Sequence, residues 1–341
     1  MLRQDQSLAV FVEGELLGDS AKMGQGILRY SPNKVACVID SLHRGKNVQD
    51  VIATPRSCPV VGTLSEAREL GAEVLVLGLA PPGGLIPFAW FEALDEAISL
   101  GFSIVNGLHD LLGPRWPKLG PDQWVWDIRT EPTGLKPGTG AAQDLENKRV
   151  LMIGTDMAIG KMTAGLELYR AALGRGIKAA FVATGQIGIT IMGRGIPLDA
   201  IRVDFASGAV EREVLDSADR EMVFVEGQGS LLHPGSTSTL PLLRGSMPTH
   251  LVLCHRAGMD HLYRLPQIKI PPLRDFMRLY EDLAAACGAF PRPKSVAVAL
   301  NTSAFGHDEA KDWLKRTSDE TGLPCDDPVR FGCETILSAL S

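Results

Sequence analysis

The stretch Val150-Leu151-Met152-Ile153-Gly154-Thr155-Asp156-Met157-Ala158-Ile159-Gly160-Lys161-Met162-Thr163 decides the reading of this chain. Its first four residues are apolar without alternation, the pattern of a strand covered on both faces. A glycine-bounded turn follows, then Lys161 and a hydroxyl residue opening a helical pattern. Main-chain N–H groups at such a strand–turn–helix junction point inward and hold phosphate oxygens. Lys161 adds positive charge, and glycine lets a ligand come close without a Cβ in the way. Gly154, Thr155, Asp156, Ala158, Ile159, Gly160, Lys161, Met162 and Thr163 are therefore the expected phosphate-ligand residues.

The strict form of the loop is G-x-x-x-x-G-K-[ST]. This loop departs from it twice: five residues separate Gly154 from Gly160, and Met162 stands between Lys161 and Thr163. One step along a helix turns a side chain by about 100°. Thr163 is thus expected to miss the place where a hydroxyl would hold Mg²⁺, while main-chain phosphate binding survives.

Outward from the loop, short β-branched runs alternate with longer helical patterns. Beyond the strand at 149–153 and the helix at 160–173, strands are expected at 178–182, 222–225, 250–254 and 295–300. Helices are expected at 210–218, 273–287 and 308–321. The first half alternates in the same way, with strands at 7–12, 34–39, 60–61, 73–79 and 103–105 and helices at 65–70 and 88–100. Alternation of this kind builds parallel sheets covered on both faces. The expected fold is α/β, with two doubly wound parallel-sheet domains at 1–135 and 149–341. Residues 136–148, which carry Pro137, Gly138 and Gly140, read as the linker.

The bulk numbers agree with two globular domains. The chain has 341 residues, 45% hydrophobic and 22% charged, enough for cores of ordinary size. A net charge of −6 argues against a general nucleic-acid binder. The six cysteines, Cys37, Cys58, Cys254, Cys287, Cys325 and Cys333, show no C-x-x-C pair and no metal-ligand spacing. They read as reduced thiols, and no metal site is expected from them. Residues 1–12 make a poor signal peptide, and no apolar run nears the ~18 residues of a membrane span. A cytoplasmic enzyme acting on a small molecule, without nucleic-acid or membrane partners, is expected, with a homo-oligomer as the default assembly.

In open α/β sheets ligands sit beyond the carboxyl ends of the strands, and polar residues gather at those places in the second half. Thr184-Gly185-Gln186 follows one strand, and the loop 188–197 carries Arg194 among glycines and prolines, a composition that favours mobility or ligand capture. Asp204 lies further on. Glu226, Gln228, Ser230 and His233 follow another strand, His255 and Arg256 a third, and Asn301 a fourth. In the first half, Gly24-Gln25-Gly26 is an incomplete dinucleotide fingerprint, because the third glycine position holds Arg29. The turn 106–110 is a candidate site or simply a capped turn.

The loop, with its Gly-Thr-Asp start and five-residue gap, resembles that of dethiobiotin synthetase and its relatives. So does Val225-Glu226-Gly227-Gln228-Gly229; in those relatives the glutamate helps to bind Mg²⁺. Taken together, residues 26–32, 106–110, 154–163, 183–186, 204–209, 226–234, 253–255 and 301–303 resemble the domain-of-unknown-function 1611 family, over nearly the whole chain. The run Glu226-Gly227-Gln228-Gly229-Ser230-Leu231-Leu232-His233-Pro234 is the most specific of these. The resemblance implies a Rossmann-like N-terminal domain and a P-loop C-terminal domain. Because members include D-glutamate N-acetyltransferases, it implies acetyl transfer from acetyl-CoA to the amine of an acidic amino acid. One departure is that Glu-Pro, which those acetyltransferases tend to carry after Leu-Cys-His, is replaced here by Arg256-Ala257.

On that reading Glu226, His233, Asp204 and His255 are the candidate catalytic bases. Gln228 and Ser230 are candidate oxyanion donors, and Gln186 and Arg194 substrate ligands. Asn301 joins the loop in holding acetyl-CoA. The first alternative is a Mg-ATP-dependent kinase or ligase, with ATP and Mg²⁺ held by Lys161, Thr163, Asp204 and Glu226. The second is a nucleotide- or CoA-binding module without chemistry.

Overall fold

The computed structural model describes residues 2–340, which form two compact units. The first takes the chain through Glu131 and then Gln186–Ala200; the second takes Pro132–Gly185 and the chain from Ile201 onward.

In the first unit the order is β1 (Leu8–Phe11), α1 (Lys22–Tyr30), β2 (Val35–Ile39), β3 (Val60–Val61), α2 (Leu64–Glu69), β4 (Val74–Leu77), α3 (Phe91–Ser99), β5 (Ser103–Asn106) and β6 (Val125–Asp127). The sheet order is β3-β2-β1-β4-β5-β6, parallel throughout. This is the Rossmann order. Every residue of β1, β2, β4 and β5 is buried, as a doubly covered sheet requires. Gly24-Gln25-Gly26 lies inside α1 rather than in a strand-end loop. The Gly24 N–H donates to Gly78 O at 2.8 Å, and a Cβ on Gly24 would meet Val12 Cγ1 at 2.6 Å. The structure thus spends this glycine on close helix–strand packing. Buried Asn106 donates to Asp110 O and Asp127 Oδ1 and accepts from Leu108 N, which is a capped turn.

The second unit begins with β7 (Lys148–Gly154), α4 (Lys161–Gly174) and β8 (Ala179–Val182). The chain then passes through α5 (Gln186–Met192), which counts with the first unit, and returns as α6 (Val203–Leu215) and β9 (Met222–Val225). It continues with α7 (Thr239–Ser246), β10 (His250–Arg256), an antiparallel hairpin of β11 (His261–Leu262) and β12 (Leu265–Lys269), and α8 (Leu273–Ala285). The last elements are β13 (Lys294–Asn301), α9 (His307–Thr321), β14 (Cys325–Asp326) and α10 (Glu334–Ala339). The main sheet runs β14-β13-β10-β7-β9-β8, parallel throughout. From β7 the chain goes to the sheet edge at β8, returns to place β9 between β8 and β7, and then crosses to the other side of β7 at β10. The strand order therefore reverses at β7, and the carboxyl ends of β7, β8, β9, β10 and β13 share one edge, where such folds bind ligands.

Helix α8 shows how the core supports that edge. Leu273, Phe276, Met277, Tyr280 and Ala284 recur at helical spacing and are buried. Tyr280 meets Phe276 edge-on at 5.1 Å, and its hydroxyl accepts from Leu231 N at 3.2 Å, which ties down the loop after β9.

Two expectations from the sequence are corrected here. The glycine-rich loop 188–197 is helical over its first part, because α5 buries Ile189, Thr190 and Ile191. Asp204 does not sit at a strand end. It lies exposed in the first turn of α6, which starts at Val203 and not at 210. Among the described residues no helix is long and apolar enough to cross a membrane.

Candidate functional site

The loop between β7 and α4 is shaped by two left-handed residues, Ala158 (φ 53°) and Gly160 (φ 111°). Ala158 adopts a conformation that costs an L-residue roughly 1–2 kcal/mol, a kind of strain typically held at binding sites. Left-handed residues in such a turn aim successive N–H groups into one concavity, and the positive end of α4 faces the same space.

Lys161 is the first residue of α4 and is 6% exposed. Its stem lies against Gly154 and Gly227: a Cβ on either would stand 3.0 Å from Lys161 Cδ. Its ammonium donates to the Asp156 carbonyl at 2.7 Å. Burial lowers its pKa to about 8, against the opposing pull of Cys254, Asp156 and Glu226. An anion in the loop would relieve that desolvation.

Glu226, just past β9, is 3% exposed. Its Oε2 accepts from Thr184 N at 2.9 Å and Gly185 N at 3.1 Å, and its Oε1 accepts from Gln228 Nε2 at 3.2 Å. Burial raises its pKa to about 7, although these donors and Lys161 pull it down. The second N–H of the Gln228 amide has no partner among the described residues.

His255 closes the site from β10. It is 7% exposed, and its Nδ1 shares a 2.9 Å hydrogen bond with Thr155 Oγ1. Burial lowers its pKa to about 4, so the ring is neutral at physiological pH. Ser230 donates its hydroxyl proton to Thr155 O at 3.0 Å and accepts from Leu232 N, so it buttresses the loop. Asp156 accepts from Met157 N and, at 2.9 Å, from Tyr263 N at the turn of the β11–β12 hairpin. Thr163 and Asn301 line a cavity of about 280 Å³ beside the loop.

The structure therefore gathers Gly154–Thr163, Glu226, Gln228, Ser230, His255 and Asn301 on one edge of the second unit. Two of the expected catalytic residues do not join this group. His233 accepts from Gly235 N at 3.1 Å within its own turn. Asp204 is exposed in the first turn of α6 and, among the described residues, is not bonded to this group. Gln186 and Arg194 belong to the first unit, Gln186 opening α5 and Arg194 exposed beyond it. Sequence reasoning did not single out Tyr263 or residues 327–330, which meet the loop only through tertiary packing. Arg256, noted only as a strand-end residue, donates to Ala158 O at 3.3 Å and lies over the Tyr263 ring.

The close approach of β9 to β7 at this edge admits no side chain on Gly227. A Cβ there would stand 1.7 Å from Met152 O. Gly227→Ala is expected to cost at least the ~3 kcal/mol upper end of ordinary overpacking, read as a lower urea midpoint; an unchanged midpoint would refute the tight approach.

Fold and site together define a two-unit α/β protein, Rossmann-like in its first unit, with a glycine-bounded P-loop-type turn at the switch point of its second. The chain belongs to the domain-of-unknown-function 1611 family: residues 41–131 match its Rossmann-like N-terminal domain and residues 136–337 its P-loop C-terminal domain. It is 36% identical over 285 residues to a D-glutamate N-acetyltransferase of Tritonibacter scottomollicae, covering 82% of this chain and 84% of that one. It is also 36% identical over 283 residues to a protein of the same name from a Pseudoalteromonas species, with the same coverage. The crystal structure of a family member from Anabaena variabilis ATCC 29413 superposes with a TM-score of 0.95 at 45% identity, covering 98% of this chain and 99% of that one.

Proposed function

We propose that this chain is an N-acetyltransferase that moves the acetyl group of acetyl-CoA to the amine of an acidic amino acid, D-glutamate by likeness to its named relatives. The observation that carries this reading is the 36% identity to two proteins of that name across 82% of the chain. The geometry of the second unit supports this reading. The loop is the proposed seat of the CoA pyrophosphate, because its buried Lys161 lacks a counter-anion within ion-pair distance among the described residues. Thr163 lines the lateral cavity, which fits phosphate binding through main-chain N–H groups and Lys161 better than a metal held by the hydroxyl.

In the reaction the amine nitrogen attacks the thioester carbonyl carbon, a C–N bond forms, the C–S bond breaks, and the sulfur leaves as thiolate and is protonated. The attacking amine must first lose a proton. A carboxylate with a pKa of about 7 is suited to take it, so Glu226 is the proposed base. The free N–H of Gln228 is the proposed donor to the developing oxyanion. Thr155 and neutral His255 position the loop. The protein is proposed to work in the cytoplasm and as a homo-oligomer.

Calorimetric titration of the full chain tests the ligand. Acetyl-CoA is expected to bind equally well with Mg²⁺ and with EDTA. Mg²⁺-dependent binding of ATP with indifference to acetyl-CoA would overturn the reading in favour of a kinase or ligase.

A further inference from the structure

The cavity of about 280 Å³ beside the phosphate loop has walls of two kinds. One wall belongs to the loop and α4, through Ile159, Gly160, Thr163 and Ala164. The other comes from the end of β13 and from the turn that follows β14. Because Gly160 and Thr163 take part in both, a ligand with phosphates on the loop continues into this space. The volume is at the lower end of small-ligand pockets, about 300 Å³, and suits one heterocyclic ring with its sugar. The apolar faces of Ile159, Ala164 and Pro328 offer contact to a flat ring, and the Asn301 amide offers a polar edge.

Two charged side chains line the cavity, Asp327 and Arg330. The Asp327 carboxylate is 4% exposed and is spent on its own turn: it accepts from the N–H and hydroxyl of Thr302 and from the N–H groups of Val329 and Arg330. Arg330 is held differently. Its Nη1 donates to Phe305 O at 2.9 Å and Gly306 O at 3.1 Å. Its Nη2 and Nε have no hydrogen bond, and it makes no ion pair, among the described residues. It is therefore a guanidinium pinned at one nitrogen, with Nη2 and Nε unbonded and no carboxylate in ion-pair distance among the described residues, at a cavity that adjoins the loop.

Such a fork suits a phosphate. We infer that the cavity takes the adenine and ribose of the ligand and that Arg330 binds a phosphate on that ribose, so that the site selects CoA, which carries a 3′-phosphate, over adenine nucleotides that lack one. The inference rests on the CoA reading above and adds to it the residue that enforces the choice.

The test is equilibrium binding of CoA and 3′-dephospho-CoA to the full chain and to Arg330→Gln, Arg330→Lys and Ala164→Leu. The parent is expected to bind CoA at least about tenfold more tightly, the worth of one charge-assisted hydrogen bond. Arg330→Gln is expected to erase that ratio by weakening CoA alone, and Arg330→Lys to keep part of it. Any loss of stability in a variant weakens both ligands alike and leaves the ratio readable. Ala164→Leu, which fills the cavity floor, is expected to weaken both ligands together. Equal affinities in the parent, or an unchanged ratio in Arg330→Gln, would overturn the role of Arg330 while leaving the CoA reading intact. Undiminished affinity in Ala164→Leu would take the cavity out of the ligand's path. Failure of the parent to bind either ligand would overturn the CoA reading itself.

Discussion

Lys161→Met is expected to weaken acetyl-CoA binding by roughly 10- to 100-fold, the worth of a charge-assisted hydrogen bond to phosphate, and to make the ligand-free protein more stable near pH 7. The two effects have one cause. Lys161 is buried without a carboxylate within ion-pair distance among the described residues, and its pKa falls from 10.5 to about 8. That gap corresponds to about 3 kcal/mol of unfavourable burial of the charged form. Because the folded pKa is the lower one, the penalty is complete below pH 8, shrinks as pH rises from 8 to 10.5, and is gone above. Methionine keeps the stem that packs between Gly154 and Gly227 and removes the charge. It also removes the bond to Asp156 O, at about 1 kcal/mol, so a net gain of about 2 kcal/mol near pH 7 is expected, fading toward pH 10.5. Denaturant titrations at the two pH values, with calorimetry on the same samples, check both halves. A variant that loses binding and stability together would show that the lysine is structural.

Glu226→Gln is expected to lower turnover by about 10²- to 10⁴-fold, the usual contribution of a positioned base, while acetyl-CoA binding is kept. The amide can still accept from Thr184 N and Gly185 N through one oxygen, as Oε2 does now. In the parent, kcat/KM should rise with pH through about 7, where the carboxylate ionises, and that limb should vanish in the variant. Stability carries the same signature with the opposite sense. The folded pKa of about 7 lies above the ordinary 4.5, so the unfolded chain releases this proton first, and stability falls as pH rises from 4.5 to 7. Glu226→Gln removes that slope. Full turnover in the variant would transfer the base to another residue.

Much of this was legible in the sequence, and for a physical reason. Strands buried on both faces, such as Val150–Ile153 within β7, are unbroken apolar runs. A glycine-bounded turn carrying Lys161 then leaves few structures other than a phosphate loop opening a helix. Glu226, His255 and Asn301 could be found because a parallel sheet places its carboxyl ends on one edge, whatever the spacing in sequence. What escaped depends on tertiary contact. The composition of residues 188–197 reads as a loop, yet burial of Ile189 and Ile191 makes its start helical. Asp204 resembles a strand-end acid until α6 is seen to begin one residue earlier. Ser230 read as a free donor, but its proton is spent on Thr155 O. The hairpin carrying Tyr263 and the Asp327–Arg330 turn bear no motif; they matter because packing brings them to the loop.

The most direct measurement is release of free thiol from acetyl-CoA by the purified protein, in EDTA and without ATP, as D-glutamate is added. Release that depends on D-glutamate, is matched by acetylated amino acid, needs more acetyl-CoA in Lys161→Met and is sharply slowed in Glu226→Gln is the predicted result. No thiol release with any acidic amino acid, accompanied by Mg²⁺-dependent formation of ADP from ATP, would contradict it.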